Sequence, residues 1–200
     1  MIRPDRDDDS PPREPEASPR PQGPRRAFPA IAELVASPAT SGLALLAIEL
    51  FGDAEHGGFF LAPADGDARV PRTKELQDTP IPSGNSMLAI VLLRLSRIWA
   101  DDELERRAVS VFRLVEPALR RGPGAFAWAL CGLDLWFSPP REIAIAGSVD
   151  SPVARAALAP FPPNTVVAVG PPEDVPLLAA KGLVDGKPAV YACERFACRM

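Results

Sequence analysis

"DTPIPSGNSMLAIVLLRLSRI", residues 78–98, runs a polar turn directly into a helix that is apolar nearly all round. Ser83 follows Pro82 and suits an N-cap, with Gly84, Asn85 and Ser86 as the first helical turn. From there Leu88, Ile90, Val91, Leu92, Leu93, Leu95, Ile98 and Trp99 occupy every side, and only Arg94, Ser96 and Arg97 interrupt. A helix of that composition is buried on most of its faces.

Downstream, residues 102–120 behave differently. Leu104, Ala108, Val111, Phe112, Val115 and Leu119 recur at helical spacing, while Glu103, Glu105, Arg106, Arg107, Arg113 and Glu116 fill the other side. That pattern predicts a one-faced surface helix. After a Gly122-Pro123-Gly124 turn, "AFAWALCGLDLWF" (125–137) is apolar all round again. The order buried, amphipathic, buried is expected of an α/α toroid, whose inner helices are wrapped by an outer ring, whereas a four-helix bundle gives each helix one stripe. Upstream, "SGLALLAIELF" (41–51) reads as the preceding outer helix. Residues 52–77 form a connection long enough to suggest a function.

At Ser138-Pro139-Pro140 the period changes. "REIAIAG" reads as a buried strand, and Ser151-Pro152 opens the helix "VARAALAPF". "TVVAVG" is a second strand, "PPEDVPLLAAKG" a short helix, and "PAVYAC" a third strand after Asp185-Gly186. Strand, helix, strand, helix, strand predicts parallel pairing through right-handed crossovers. The fold class expected is mainly α with α/β: part of an (α/α)6 toroid over 28–138, then a small parallel β-α-β-α-β unit over 139–200. Residues 1–27 mix Pro, Arg and acids with almost nothing large and apolar, so a disordered head is expected there.

Composition excludes several classes. A net charge of −4 and a pI near 5.1 offer no basic face for nucleic acid. No signal-peptide pattern opens the chain, and the longest apolar run, 87–99, is short and broken by Arg94 and Arg97. Membrane association is therefore not expected. Three cysteines, an odd number, point to a reducing cytoplasm.

In a toroid, loops at one end of the inner helices line the central cavity. Asp78, Ser83, Gly84, Asn85 and Ser86 then sit at a cavity mouth, as ligand contacts or simply as cap and loop brace. Glycoside hydrolysis needs two carboxyl groups across one bond. Asp78 and Asp134 are the candidate catalytic pair, Asp134 standing among Leu133, Leu135 and Trp136, where a carboxylate needs a partner or a proton. Cys193 and Cys198 form a possible thiol pair beyond the third strand, on the edge where Gly147 and Gly170 end the other two. Reduced, partly buried thiols are the simpler reading, and no further ligands suggest a metal.

The blocks "HGGFF" (56–60), "DTPIPSGNSMLAIVLLRL" (78–95), "SPPREIAIAG" (138–147), "PPNTVVAV" (162–169) and "DGKPAVYACERFAC" (185–198) resemble, in the same order, the C-terminal part of a known family. It comprises thioredoxin-domain-containing proteins with a six-hairpin barrel like that of N-acylglucosamine 2-epimerase. The resemblance implies carbohydrate-related chemistry or ligand binding in the barrel, with thiol chemistry in the N-terminal domain. Neither that domain nor its Cys-x-x-Cys motif is present, so a truncated or split member is expected, without complete catalytic machinery and without a cofactor. Barrel epimerases have a similar Gly-Gly-aromatic block, which adds His56, Gly57, Gly58 and Phe59 to the ligand-binding candidates. His56 is the single histidine, so the two-histidine relay of sugar 2-epimerases cannot form within this chain. Expected partners are a barrel or thioredoxin-like polypeptide, a second copy, or a carbohydrate. The alternatives are a glycosidase- or epimerase-like half-site completed by another chain, and a small protein-interaction module.

Overall fold

The computed structural model describes residues 38–159, 163–173, 175–195 and 197–199; the head expected at 1–27 lies outside them. Helix α1 spans Pro38–Phe51. Helix α2, Gly84–Trp99, begins as its sequence dictates: the Ser83 hydroxyl accepts the Ser86 N–H at 3.1 Å. It stops at Ala100, whose φ of 53° is left-handed. Helix α3, Asp102–Leu119, starts on the Asp101 carboxylate, which accepts the N–H groups of Glu103 and Leu104. Asp102, Glu103 and Glu105 complement its positive end, and Leu104, Ala108, Val111, Phe112 and Val115 form its buried face. A 3-10 turn, Pro123–Phe126, leads into helix α4, Ala127–Phe137.

Central in the helical layer, α2 packs against α3, α4 and the sheet. Its Leu92, Leu93 and Leu95 meet Ala108, Val111 and Phe112 of α3 and Leu135 of α4 in one core. The three helices converge at Gly132, where a Cβ would stand 2.8 Å from the Phe112 ring and 3.2 Å from Ile90. Among the described residues the helices surround α2 rather than closing a ring, and no helix is long and apolar enough to cross a membrane.

The sheet has four strands in the order β2-β1-β3-β4: β1 Arg141–Ala146, β2 Thr165–Gly170, β3 Ala189–Glu194 and β4 Ala197–Arg199. β1 and β2 pair in parallel through helix α5, Pro152–Leu158, which Ser151 caps. The expected all-parallel unit is corrected here: β3 runs antiparallel to β1, and β4 antiparallel to β3. The helix expected before β3 is only a 3-10 turn, Pro176–Leu178, in a stretch where Pro171, Pro172 and Pro176 remove backbone donors. The rest of residues 171–188 is turn and irregular chain where it is described, so no crossover helix carries the chain back along the sheet. β3 therefore starts near the end where β2 stopped and runs the other way. One face of the sheet packs Ala144, Val166 and Ala168 on Ile98, Leu177 and Leu178; the other packs Ile145 and Val169 on Val149 and Ala154.

Reversal of β3 also moves its cysteines. Cys193 pairs in register with Glu142 at the start of β1, the opposite end of the sheet from Gly147 and Gly170. It stands directly across from Cys198 in the β3–β4 pair, and the two are joined as a disulfide rather than left as reduced thiols. Cys131 is free and exposed.

Candidate functional site

The two polar blocks named from sequence meet in one place. Gly57 and Gly58 have φ of 75° and 71°, so the loop after α1 folds back tightly where a Cβ on Gly58 would strike Leu114 and Asn85. Asp53 anchors the loop: one oxygen accepts the N–H groups of Glu55 and His56 at 3.0 and 2.9 Å, and the other takes the Lys74 ammonium at 2.7 Å. Lys74 also donates to the Gly57 carbonyl at 2.6 Å. The Lys74 hydrogen bond, with the N–H of His56, holds the Asp53 carboxyl well below the usual carboxylate range. Lys74 and Arg72 stand 4.8 and 4.2 Å from the centroid of the Phe60 ring.

Asn85 joins this loop to the first turn of α2. Its buried amide accepts the Phe59 N–H at 2.7 Å and donates to the Phe59 and Glu75 carbonyls at 2.9 and 2.8 Å. The side chain thus stands in for a length of strand backbone. Phe59 is delivered into the helical core.

Asp78 ties α2 to α4. Its two oxygens accept the N–H groups of Ser83 and Trp128, each at 2.8 Å, so one carboxylate caps the starts of two helices. Burial works to raise its pKa, but those N–H groups and the Ser86 hydroxyl prevail and hold it below the ordinary value. Ser83 and Ser86 hydroxyls share a bond at 2.9 Å, and both residues are buried. Ser83, Asn85 and Ser86 thus face inward, while Gly84 lies at the surface.

His56 remains at the surface, its side chain 68% exposed, on a shallow cleft of about 670 Å³. Arg106, Arg107 and Arg113 of α3 line the same cleft; Arg106 and Arg107 are bonded to Glu103. Asp134 is exposed and accepts the Asn164 amide at 2.7 Å, an amide that also donates to Ser138. It therefore fastens α4 to the loop before β2. Asp78 holds the start of α4 at Trp128, and Asp134 stands about 9 Å of helix further along. Among the described residues no group of three His, Cys, Asp or Glu side chains is placed to hold a metal.

The chain is distantly similar to spermatogenesis-associated protein 20. The human protein is 28% identical over 162 aligned positions, which cover 75% of this chain and 21% of that protein. Its mouse counterpart is 29% identical over 164 positions, covering 76% and 21%. The chain thus spans about a fifth of the length of spermatogenesis-associated protein 20. No family model matches it, and no solved structure does.

A second group of residues escaped the sequence reading. Arg97 of α2 donates to the Leu135 carbonyl at the end of α4, at 2.7 Å, close to Glu142 of β1 and Glu105 of α3. Burial pulls its guanidinium below the ordinary value, and the two carboxylates act against that. Glu105 accepts the Trp136 indole N–H at 3.0 Å. The signal was present in the chain: an arginine in an apolar helix and a glutamate in an apolar strand both demand partners. Helical and strand periodicities do not say that the partners are each other.

Proposed function

We propose that the chain is a C-terminal section of a larger protein of the spermatogenesis-associated protein 20 type, in which further helices cover α4 and complete an α/α toroid. The observation that carries this reading is α4 itself. Apolar all round, it buries only Ala129, Gly132 and Leu135 among its residues, while Trp128 and Leu130 lie exposed. Met87 and Val91 of α2 and Leu43, Leu45 and Leu46 of α1 are exposed as well. Apolar side chains gathered like this on packed helices mark an interaction surface.

In this reading carbohydrate chemistry or binding belongs to the completed cavity. The chain supplies part of the wall: the loop 56–60, the turn 83–86 and the Asp78 brace. Alone it does not catalyse, because Asp78 is engaged with two helix starts and Asp134 with Asn164. The test is light scattering of the chain alone and mixed with the unmatched part of a longer relative, followed by melting curves with monosaccharides. Self-association alone, a defined complex on mixing, and sugar-dependent stabilisation only of the complex are expected. A clean monomer that ignores the partner overturns the proposal.

A further inference from the structure

A cleft of about 810 Å³ opens where the C-terminal ends of α2 and α4 meet the sheet. It lies at the other end of these helices from the loop 56–60 and the turn 83–86. Its floor is Arg97 with Glu142: Arg97 gives one N–H to the Leu135 carbonyl and has Glu142 and Glu105 as charged neighbours. The wall above carries an aromatic corner. The Trp136 and Phe137 rings lie 4.8 Å apart, tilted by 42°, and Phe137 is 75% exposed. An aromatic side chain so open, at a built cleft between two layers, offers its π-face to whatever enters.

Around that corner stand Asp102, Glu105 and Glu194. Glu105 accepts the indole N–H at the edge of Trp136, whose ring is stacked on Phe112 and leaned on by Phe137, so the open aromatic surface of the corner is that of Phe137. The facing cation is Arg195, beside Glu194 on the turn closed by the Cys193–Cys198 disulfide. The adjoining groove, on which Trp136 also lies, carries Arg113 and Arg106, the latter bonded to Glu103. Among the described lining residues Asp102, Glu105, Glu142 and Glu194 stand against Arg97 and Arg195, a net negative balance, and aromatic faces draw the same sign of ligand that carboxylates do.

We infer that this cleft is a binding site for an organic cation of the quaternary-ammonium type, seated on the open face of Phe137 beside Trp136 and neutralised by Glu105 and Glu194. Every lining residue belongs to this chain, and the site requires that the helices proposed to cover α4 leave Phe137 open at its C-terminal end. A bulky alkylammonium suits the site better than a metal ion: it is weakly hydrated and matches aromatic faces, whereas a hard cation needs several convergent oxygens.

The experiment is a titration of the isotope-labelled full chain with choline, and separately with its neutral carbon isostere dimethylbutanol, read at the Trp136 indole N–H and the Phe137 and Glu194 amides. Choline is expected to shift these signals saturably and to bind about tenfold more tightly than the isostere, the difference being the charge. Phe137→Ala and Glu194→Gln alter surface side chains and should each weaken choline several-fold while leaving the remaining spectrum in place. Equal binding of choline and the isostere overturns the inference, because the site would then read only apolar bulk. Absence of saturable shifts overturns it as well, and so does choline binding that neither substitution weakens.

Discussion

Helices α2 and α4 are written in nearly the same residues and meet different surroundings. α2 buries Leu92, Leu93, Leu95 and Ile98 because α3, α4 and the sheet reach it from different sides. α4 leans on α2 and the turn before it, so Trp128 and Leu130 keep contact with water. Composition thus reports the surroundings a helix is built for. The difference between the two helices measures how much of those surroundings this chain supplies.

The largest test of that contrast is truncation in the core. Leu93→Ala is expected to destabilise the chain by about 2–5 kcal/mol in denaturant unfolding, through lost burial and a cavity. A smaller loss would mean that α2 is less enclosed than its packing indicates. Gly132→Val probes the contact between the two helices: a branched side chain facing the Phe112 ring should cost about 1–3 kcal/mol despite better helix propensity. Asn85→Ala removes the amide that joins loop to helix and strands the buried Phe59 N–H, an expected loss of about 1–3 kcal/mol. Loss of order in residues 56–60, read by hydrogen exchange, should accompany it.

Acid provides a gentler probe. The pKa values of Asp53 and Asp78 are lowered in the folded chain, so the stability they contribute is complete above the unfolded carboxylate value near 3.8 and is lost as pH falls below it. Melting temperature should therefore decline as pH drops under about 4. Asp53→Asn should flatten part of that decline. Smallest of all, Leu130→Ala on the uncovered side of α4 should change stability by less than about 0.5 kcal/mol in the isolated chain. In a complex with covering helices the same substitution should weaken association, which turns a silent position into an informative one.

Local features were legible and distant ones were not. Ser83, Ser151-Pro152 and the Gly-Pro-Gly turn announce helix boundaries because caps act within four residues. The third strand was legible as a strand, but its direction depends on how the preceding stretch travels, and a proline-rich segment that looks helical by composition does not climb back along the sheet. In the polar turn before α2 the Ser83 cap was legible as a cap. Asn85 could be named as a brace, yet the N–H that it accepts and the two carbonyls to which it donates lie in residues 59 and 75, a pairing no periodicity encodes. Asp134 drew notice for its apolar neighbours in sequence; helical geometry puts it on the exposed side, where Asn164 reaches it.

The outer strands of the sheet carry one further consequence. An open edge invites another extended chain to add itself, and the edge strands here answer that hazard differently. At β2 the guanidinium of Arg94 grips the carbonyls of Pro163 and Thr165, filling acceptors that an incoming strand would seek. At the far side β4 is three residues long and is riveted to β3 through Cys193 and Cys198. A bridge between residues so near in sequence limits the unfolded chain only modestly, about 2 kcal/mol by loop closure. Its greater effect is on solubility at high concentration: while the rivet holds, the last strand cannot peel away and expose β3 as a template for aggregation.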